Sequence, residues 1–225
     1  MNTQTNINAI VAEVNALVKA GEDAKAEERL IASIAEHTEA EPNDPVGQSV
    51  LLNELGGFYR SRGAFEKGEK AYLKAAALLK ESMTANYATT LNNLAGLYRL
   101  SGQYQKAAGT FDTAISAYEN CEGDAAPDIL ASVYNNKGLV YLDMRKIAQA
   151  RAMFLEAKAR LIKGGDFPFA LGTTISNLGF AAVIEEKFSE AAALFREAKA
   201  LFERAGDRDM VQNCEEFLSK LERCL

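Results

Sequence analysis

A short segment decides the fold of this chain: residues 88–98 read ATTLNNLAGLY. The same pattern returns, blurred but in step, at four other places along the 225 residues, with a period of about forty residues. Self-similarity at such a period indicates a stack of repeated units, in which neighbours bury each other's apolar faces. A stack presents a long surface rather than one enclosed pocket, so the repeat favours binding over catalysis.

Each unit carries small and large residues at fixed positions. Apolar positions recur at three- and four-residue spacing, which is the period of an α-helix. Small residues let two helix backbones approach closely, and large residues one turn away fill the remaining space. The small residues of the first helices are Val14 (a weaker member), Gly56, Ala95, Gly138 and Gly179, and the large residues of the second helices are Leu30, Tyr72, Phe111, Phe154 and Phe195.

Turn residues separate the helices. Gly21, Gly63 and Gly102 stand between the two helices of the early units, where glycine suits the left-handed turn that ends a helix. Arg145 and Glu186 replace them in the later units. Loops rich in Pro, Gly and acidic residues are expected at 41–45, 123–127 and 163–168, with the shortest near 82–86. The pattern predicts ten helices in five pairs and a final helix over about 208–223.

The second complete unit resembles the tetratricopeptide repeat, because it carries every anchor of that motif. The repeat length of about 42 residues and the Leu-Asn-Asn-Leu opening resemble the longer repeats of kinesin light chains and related bacterial proteins. The resemblance implies an all-α, right-handed superhelical solenoid of about five helix pairs with a C-terminal capping helix. Residues 1–225 would form a single array, with units at about 7–40, 49–82, 88–120, 131–163 and 172–205. The anchors of the second complete unit are Leu94, Ala95, Tyr98, Gly102, Tyr104, Ala107, Phe111 and Ala114.

Composition argues against several classes of function. The net charge is −6, so no overall basic field would hold nucleic acid or an anionic membrane. No apolar run approaches the length of a membrane span, and the first residues lack the pattern of a signal peptide. Three cysteines (Cys121, Cys214 and Cys224) without a Cys-x-x-Cys pair are typical of a reduced cytoplasm, where we expect the protein.

Signals for catalysis are nearly absent from the sequence. The single histidine, His37, is expected to be solvent-exposed near a helix end. Acidic neighbours would raise the pKa of the Cys121 thiol rather than activate it. The sequence contains no glycine-rich phosphate loop and no calcium-loop spacing. We therefore predict no enzyme activity, no cofactor and no metal.

In a tetratricopeptide solenoid the first helices line a concave face, and the resemblance implies that a protein or peptide ligand binds there. The positions opposite the packing anchors step by three and four residues, so each set occupies one helical face. Together these positions form one surface along the first helices. The N-terminal half of this surface is polar, with amides suited to a peptide backbone and arginines suited to a carboxylate, whereas the C-terminal half is apolar. The predicted protein-binding residues are Asn53, Gly57, Arg60, Asn92, Gly96, Arg99, Asn135, Leu139 and Phe180.

Alternatives remain open at this point. The asparagines of this predicted surface could instead bond to the neighbouring repeat. The same holds above all for Asn93, Asn136 and Asn177, which stand one residue later in their units. Leu139 and Phe180 could pack against the adjacent unit. A homodimer is the alternative assembly if the apolar face of residues 7–18 is left uncovered. A regulatory sensor that responds to a peptide is a third hypothesis.

Overall fold

The computed structural model describes residues 3–80, 85–121 and 126–223, with residues 3–6 as backbone only. These residues form eleven α-helices and no strand, which confirms the predicted all-α class. The loops expected near 82–86 and 123–127, the end of the 49–82 unit and Cys224 lie wholly or partly outside the described residues. The helices are α1 Thr3–Lys19, α2 Asp23–Ala40, α3 Pro45–Ser61, α4 Phe65–Leu79, α5 Ala85–Leu100, α6 Tyr104–Glu119, α7 Pro127–Asp143, α8 Ile147–Gly164, α9 Pro168–Ile184, α10 Phe188–Ala205 and α11 Arg208–Leu221.

The helices divide into two compact units, residues 1–122 and residues 123–225, and each is described by itself. In the first unit, α1 packs with α2, α3 with α4 and α5 with α6. In the second unit, α7 packs with α8, α9 with α10, and α11 against α10. First helices of neighbouring pairs also touch, α3 with α5 and α7 with α9. The single array over 1–225 stays a prediction.

Close approach within a pair depends on glycine, as the repeat pattern predicts. A Cβ added at Gly56 would lie 2.6 Å from the ring of Tyr72, which is itself only 1% exposed. A Cβ added at Gly138 would likewise overlap the fully buried ring of Phe154. Carbon atoms in contact stay about 3.5–4.0 Å apart, so any side chain at these two positions would force the helices away from each other.

A left-handed residue follows the first helix of each pair. Its φ is 74° at Gly21, 69° at Gly63 and 75° at Gly102, which confirms the predicted role of the three glycines. Arg145 and Glu186 adopt the same conformation, each with φ 59°, although they carry side chains. Left-handed geometry costs such residues about 1–2 kcal/mol. The turn is therefore kept even where the sequence has lost its glycine.

The apolar face of α1 is covered inside the first unit. Ile7, Ile10 and Val14 are all nearly buried, and they cluster with Leu30 of α2 and Leu51 of α3. The homodimer hypothesis required this face to be open. Val11, Leu17 and Val18 of the same face pack against this cluster but stay partly exposed, and the homodimer itself stays a prediction.

The final helix α11 covers α10 in the second unit. Asp207 caps its N-terminus, with Oδ1 accepting a hydrogen bond from the Met210 amide at 2.9 Å. Cys214 is buried, and the Phe217 ring stacks on that of Phe195 with 5.3 Å between centroids. A polar outer face over a packed inner one is the property of a capping helix, as predicted.

Candidate protein-binding surface

The polar half of the predicted surface lies on α3 and α5. Gly57 and Arg60 lie on α3, Gly96 and Arg99 lie on α5, and all four are partly exposed. Arg60 extends towards α5, because a Cβ added at Gly96 would lie 3.3 Å from Nη1 of Arg60. The nearest group to a Cβ added at Gly57 is the Tyr72 hydroxyl, at 3.7 Å. We call Gly57, Arg60, Gly96 and Arg99 the polar stripe.

Tyr72 and Glu54 lie beside the polar stripe, and the sequence pattern did not predict them as part of this surface. Burial raises the pKa of Tyr72, an effect that the positive charge of Arg60 opposes and the negative charge of Glu54 reinforces. Burial also raises the pKa of the Glu54 carboxyl group. The guanidinium group of Arg60 forms no hydrogen bond or ion pair with any residue that the structure describes. Its N–H donors are therefore not used by any described side chain, and their planar arrangement suits a carboxylate.

The side-chain amide of Asn53 bonds to the neighbouring repeat. Its Nδ2 donates to Oγ1 of Thr90 at 2.8 Å and to the Ser49 carbonyl oxygen at 2.8 Å. Its Oδ1 accepts from Nδ2 of Asn93 at 3.4 Å. Both amide hydrogens are thus used within the first unit, and none is left to donate to a peptide backbone.

The second unit repeats this arrangement at equivalent positions. Asn135 Nδ2 donates to Oγ1 of Thr174 at 2.7 Å, and Asn177 Nδ2 donates to Oδ1 of Asn135 at 3.5 Å. Asn135 is only 7% exposed. We call these two sets, Asn53–Thr90–Asn93 and Asn135–Thr174–Asn177, the asparagine ladders. Bonding to the neighbouring repeat is confirmed for Asn93 and Asn177, and it extends to Asn53 and Asn135.

Two further residues of the predicted surface already interact with other groups of the protein. Asn92 and Arg99 each take part in such an interaction, so neither is a free group. The structure therefore brings Gly57, Arg60 and Gly96 together as an open polar surface and assigns Asn53 and Asn135 to packing between repeats.

The apolar residues of the predicted surface pack on neighbouring helices of the second unit. Leu139 of α7 joins a cluster with Phe154 and Leu178. The Phe180 ring meets those of Phe195 and Phe217 edge-on, with centroids 5.2 and 4.8 Å away. Packing against the adjacent helices is thus confirmed for both residues. Each also stays partly exposed.

The expectation of a solvent-exposed histidine is wrong. His37 is 7% exposed, and its Nε2 lies 3.2 Å from Oδ2 of Asp44 without the geometry of a hydrogen bond. Asp44 also caps α3, since its Oδ1 accepts from the Gly47 amide at 2.9 Å. A Cβ at Gly47 would overlap both side chains. His37 therefore packs at the start of α3, in a position that no helical period reveals.

The described residues also show how the thiols and possible metal ligands are placed. The Cys121 thiol donates to the Ala117 carbonyl oxygen at 3.1 Å. Burial raises the pKa of the Cys214 thiol, which disfavours the nucleophilic thiolate. Across residues 3–80, 85–121 and 126–223, no three His, Cys, Asp or Glu side chains come together as metal ligands. In the same ranges no helix is both long and apolar enough to cross a membrane.

Paired helices, glycine-dependent packing and a repeated asparagine ladder define an α-helical repeat protein. Tetratricopeptide repeat models match residues 48–120 and residues 130–163. The chain belongs to the tetratricopeptide repeat family. These repeats generally mediate protein–protein interaction, and proteins built from them are generally non-catalytic.

Solved structures share the fold at low sequence identity. BtubC (BKLC) from P. vanneervenii is 24% identical, with a TM-score of 0.78 over 91% of this chain and 82% of that one. A structure of kinesin light chain TPR-like repeats from Podosopora anserina is 14% identical, with a TM-score of 0.70 over 91% and 99%. A STAND protein with a tetratricopeptide repeat sensor from Pyrococcus horikoshii is 16% identical, with a TM-score of 0.75 over 96% and 32%. No curated protein matches the sequence.

Proposed function

We propose that the chain is a non-catalytic adaptor that binds an acidic segment of a partner protein along the polar stripe. The observation that carries the proposal is Arg60, which extends over Gly96 and has no acidic partner among the described residues. A guanidinium group in this setting can take a carboxylate through two parallel hydrogen bonds. Gly57 and Gly96 leave room for a chain to lie close to the helices.

Other members of the predicted surface enter the proposal with different roles. Arg99 and Asn92 contribute to the charge and polarity of α5, although each already has a contact in the protein. In the second unit, the exposed parts of Leu139 and Phe180 are proposed contacts for an apolar side chain of a partner. The proposed location is the cytoplasm, on the interpretation of the cysteines given above.

Affinity capture from a cell extract tests this function, followed by mass spectrometry of the bound proteins. The full chain is compared with an Arg60→Ala/Arg99→Ala variant and with Gly96→Leu, which fills the stripe. We expect both variants to lose the same specific partner, with affinity falling about ten-fold or more because a charge-assisted contact is lost.

Two control variants separate this effect from general damage. Gly109→Leu places the same side chain on α6, where a Cβ would meet nothing within 4 Å. Arg62→Ala removes an arginine that is already paired with Asp23. Both controls are expected to bind normally. Unchanged capture of every partner by Arg60→Ala/Arg99→Ala would contradict the proposal.

A further inference from the structure

A groove opens in the first unit, on helix faces that do not carry the polar stripe. It lies between α2 and α4, with α3 as its floor, and it is an open groove with a volume of about 370 Å³. A cavity of this size falls in the range of small ligand sites, of about 300–1,000 Å³. Its lining is apolar except for three lysines on α4. The lining residues are Ile31, Ile34, Leu52, Leu55, Tyr59, Lys67, Lys70, Ala71 and Lys74.

The apolar part of this groove includes an isoleucine that water still reaches. Ile31 on α2 is 50% exposed, and Ile34 lies one turn further along the same face. Leu52 and Leu55 of α3 form the floor, at 4% and 8% exposure. A large apolar side chain placed beside Ile31 would remove exposed apolar surface from water, at about 25 cal/mol per Å².

The rim of the groove is a row of positive charge. Lys67, Lys70 and Lys74 lie at three- and four-residue spacing, so they share one face of α4 and span about 10 Å. The ammonium groups of Lys70 and Lys74 form no ion pair or hydrogen bond with any residue in the described ranges. Two unpaired lysines beside an apolar floor stand out in a chain whose net charge is −6.

The third lysine belongs to a structural contact. Lys67 Nζ lies 2.9 Å from Oε1 of Glu27 and 5.0 Å from the centroid of the Tyr59 ring. The Tyr59 hydroxyl donates to the same carboxylate at 2.7 Å. These bonds, from Tyr59 first and then from Lys67, lower the pKa of Glu27. Glu27, the acidic group of this contact, is thus already satisfied, and Lys70 and Lys74 remain for an outside carboxylate.

The next repeat packs in the same way without lysines at the two rim positions. The floor is preserved there, and so is the structural contact: Tyr98 donates to Glu69 at 2.7 Å, with Lys106 3.9 Å from the same carboxylate. The positions equivalent to Lys70 and Lys74 hold Gly109 and Thr113. The lysine of the contact is retained while the two rim lysines are not, which separates the rim from the stacking of repeats.

We propose that the α2–α4 groove binds an acidic protein segment that places a large apolar side chain beside Ile31 and carboxylates on Lys70 and Lys74. Charge complementarity selects this partner, because an unpaired lysine pair flanks an apolar floor. The site is separate from the polar stripe, and it stands whether or not the stripe binds a partner.

The test selects a displayed library of random 16-residue peptides on the full chain, with counter-selection on Lys70→Glu/Lys74→Glu. Enriched peptides are expected to combine at least two acidic residues with Leu, Ile or Phe. Affinity for a synthetic copy should fall about ten-fold or more in Lys70→Glu/Lys74→Glu and also in Ile31→Ser. It should be unchanged in Arg60→Ala/Arg99→Ala.

A matched control makes the same change of charge elsewhere. Lys146→Glu/Lys163→Glu alters two exposed lysines of the second unit and is expected to bind the peptide normally. The proposal is overturned if selection yields no peptide that depends on Lys70 and Lys74, or if the selected peptides lack acidic residues. The proposal is also overturned if RNA or phosphatidylserine vesicles bind with the same dependence on these lysines, because the site would then be a general anion surface.

Discussion

The two compact units build the same ladder but different surfaces beside it. Asn53 in the first unit and Asn135 in the second make equivalent bonds to a threonine of the next repeat. Four residues after each asparagine the units diverge, with Gly57 in one and Leu139 in the other. Stacking therefore fixes the ladder positions in both units, and it leaves the neighbouring surface position to vary.

The divergence has a physical meaning at each position. In the first unit the space above Gly57 and Gly96 is open apart from the Tyr72 hydroxyl and the Arg60 guanidinium group. In the second unit Phe180, at the equivalent position of α9, packs between two other aromatic rings. The first unit leaves this position open, whereas the second fills the same position with a packed aromatic ring.

The largest expected effect comes from removing the aromatic side chain at this position. Phe180→Ala deletes the contacts with the rings of Phe195 and Phe217 and should destabilise the second unit by about 2–4 kcal/mol. Gly57→Ala is the matched change in the first unit. It should raise stability by about 0.5–1 kcal/mol, because alanine favours the helix and its methyl group has room.

Urea unfolding followed by circular dichroism measures both changes, and Gly56→Ala serves as the control for crowding. That substitution places a methyl group 2.6 Å from the Tyr72 ring and is expected to destabilise the protein. If Gly57→Ala destabilised the protein as much as Gly56→Ala, the open space assigned to the polar stripe would be contradicted.

The second effect concerns the ladders. Asn135→Ala removes the donor to the Thr174 hydroxyl oxygen and the acceptor of the Asn177 amide in a buried setting, so we expect a loss of about 1–3 kcal/mol. Asn53→Ala should cost less, because Asn53 is only partly buried. A double-mutant cycle with Thr174→Val measures the coupling. Additive losses in that cycle would show that the Asn135–Thr174 bond contributes nothing to stability.

The features that the sequence predicted correctly are those set by the position of a residue within one helix. Small residues at fixed spacing indicated where backbones meet, as at Gly56, and glycines indicated the left-handed turns, as at Gly63. Both properties follow from the local chain and the period of the helix. They need no knowledge of which residue the neighbouring helix presents.

What the sequence could not supply was the partner on the next helix. Periodicity placed Asn53 on a face, but Thr90 is its partner only because of how α3 and α5 are aligned. His37 is buried by a loop that brings Asp44 over it, and loops follow no helical period. One signal was available: Tyr72 has a hydroxyl group where the other complete units have phenylalanine, which marks a polar group beside the stripe.

The smallest expected effect tests the other difference between the units, their turn residues. Arg145 and Glu186 have left-handed backbones and exposed side chains, so Arg145→Gly/Glu186→Gly removes strain at little loss of contact. Relief of the backbone strain should raise the free energy of unfolding by about 1–2 kcal/mol per site. Part of this gain is lost, because glycine gives the unfolded chain a larger conformational entropy. The net gain should be about 0.5–1 kcal/mol per site, measured as a higher urea midpoint with an unchanged m-value. Gly102→Arg, the reverse change in the first unit, should lose about as much, because nothing lies within 4 Å of its Cβ and only the backbone is strained. A destabilised Arg145→Gly/Glu186→Gly variant would mean that the two side chains hold the second unit together through contacts of their own, and the units would then differ in how they end their helices as well as in the surface beside the ladder.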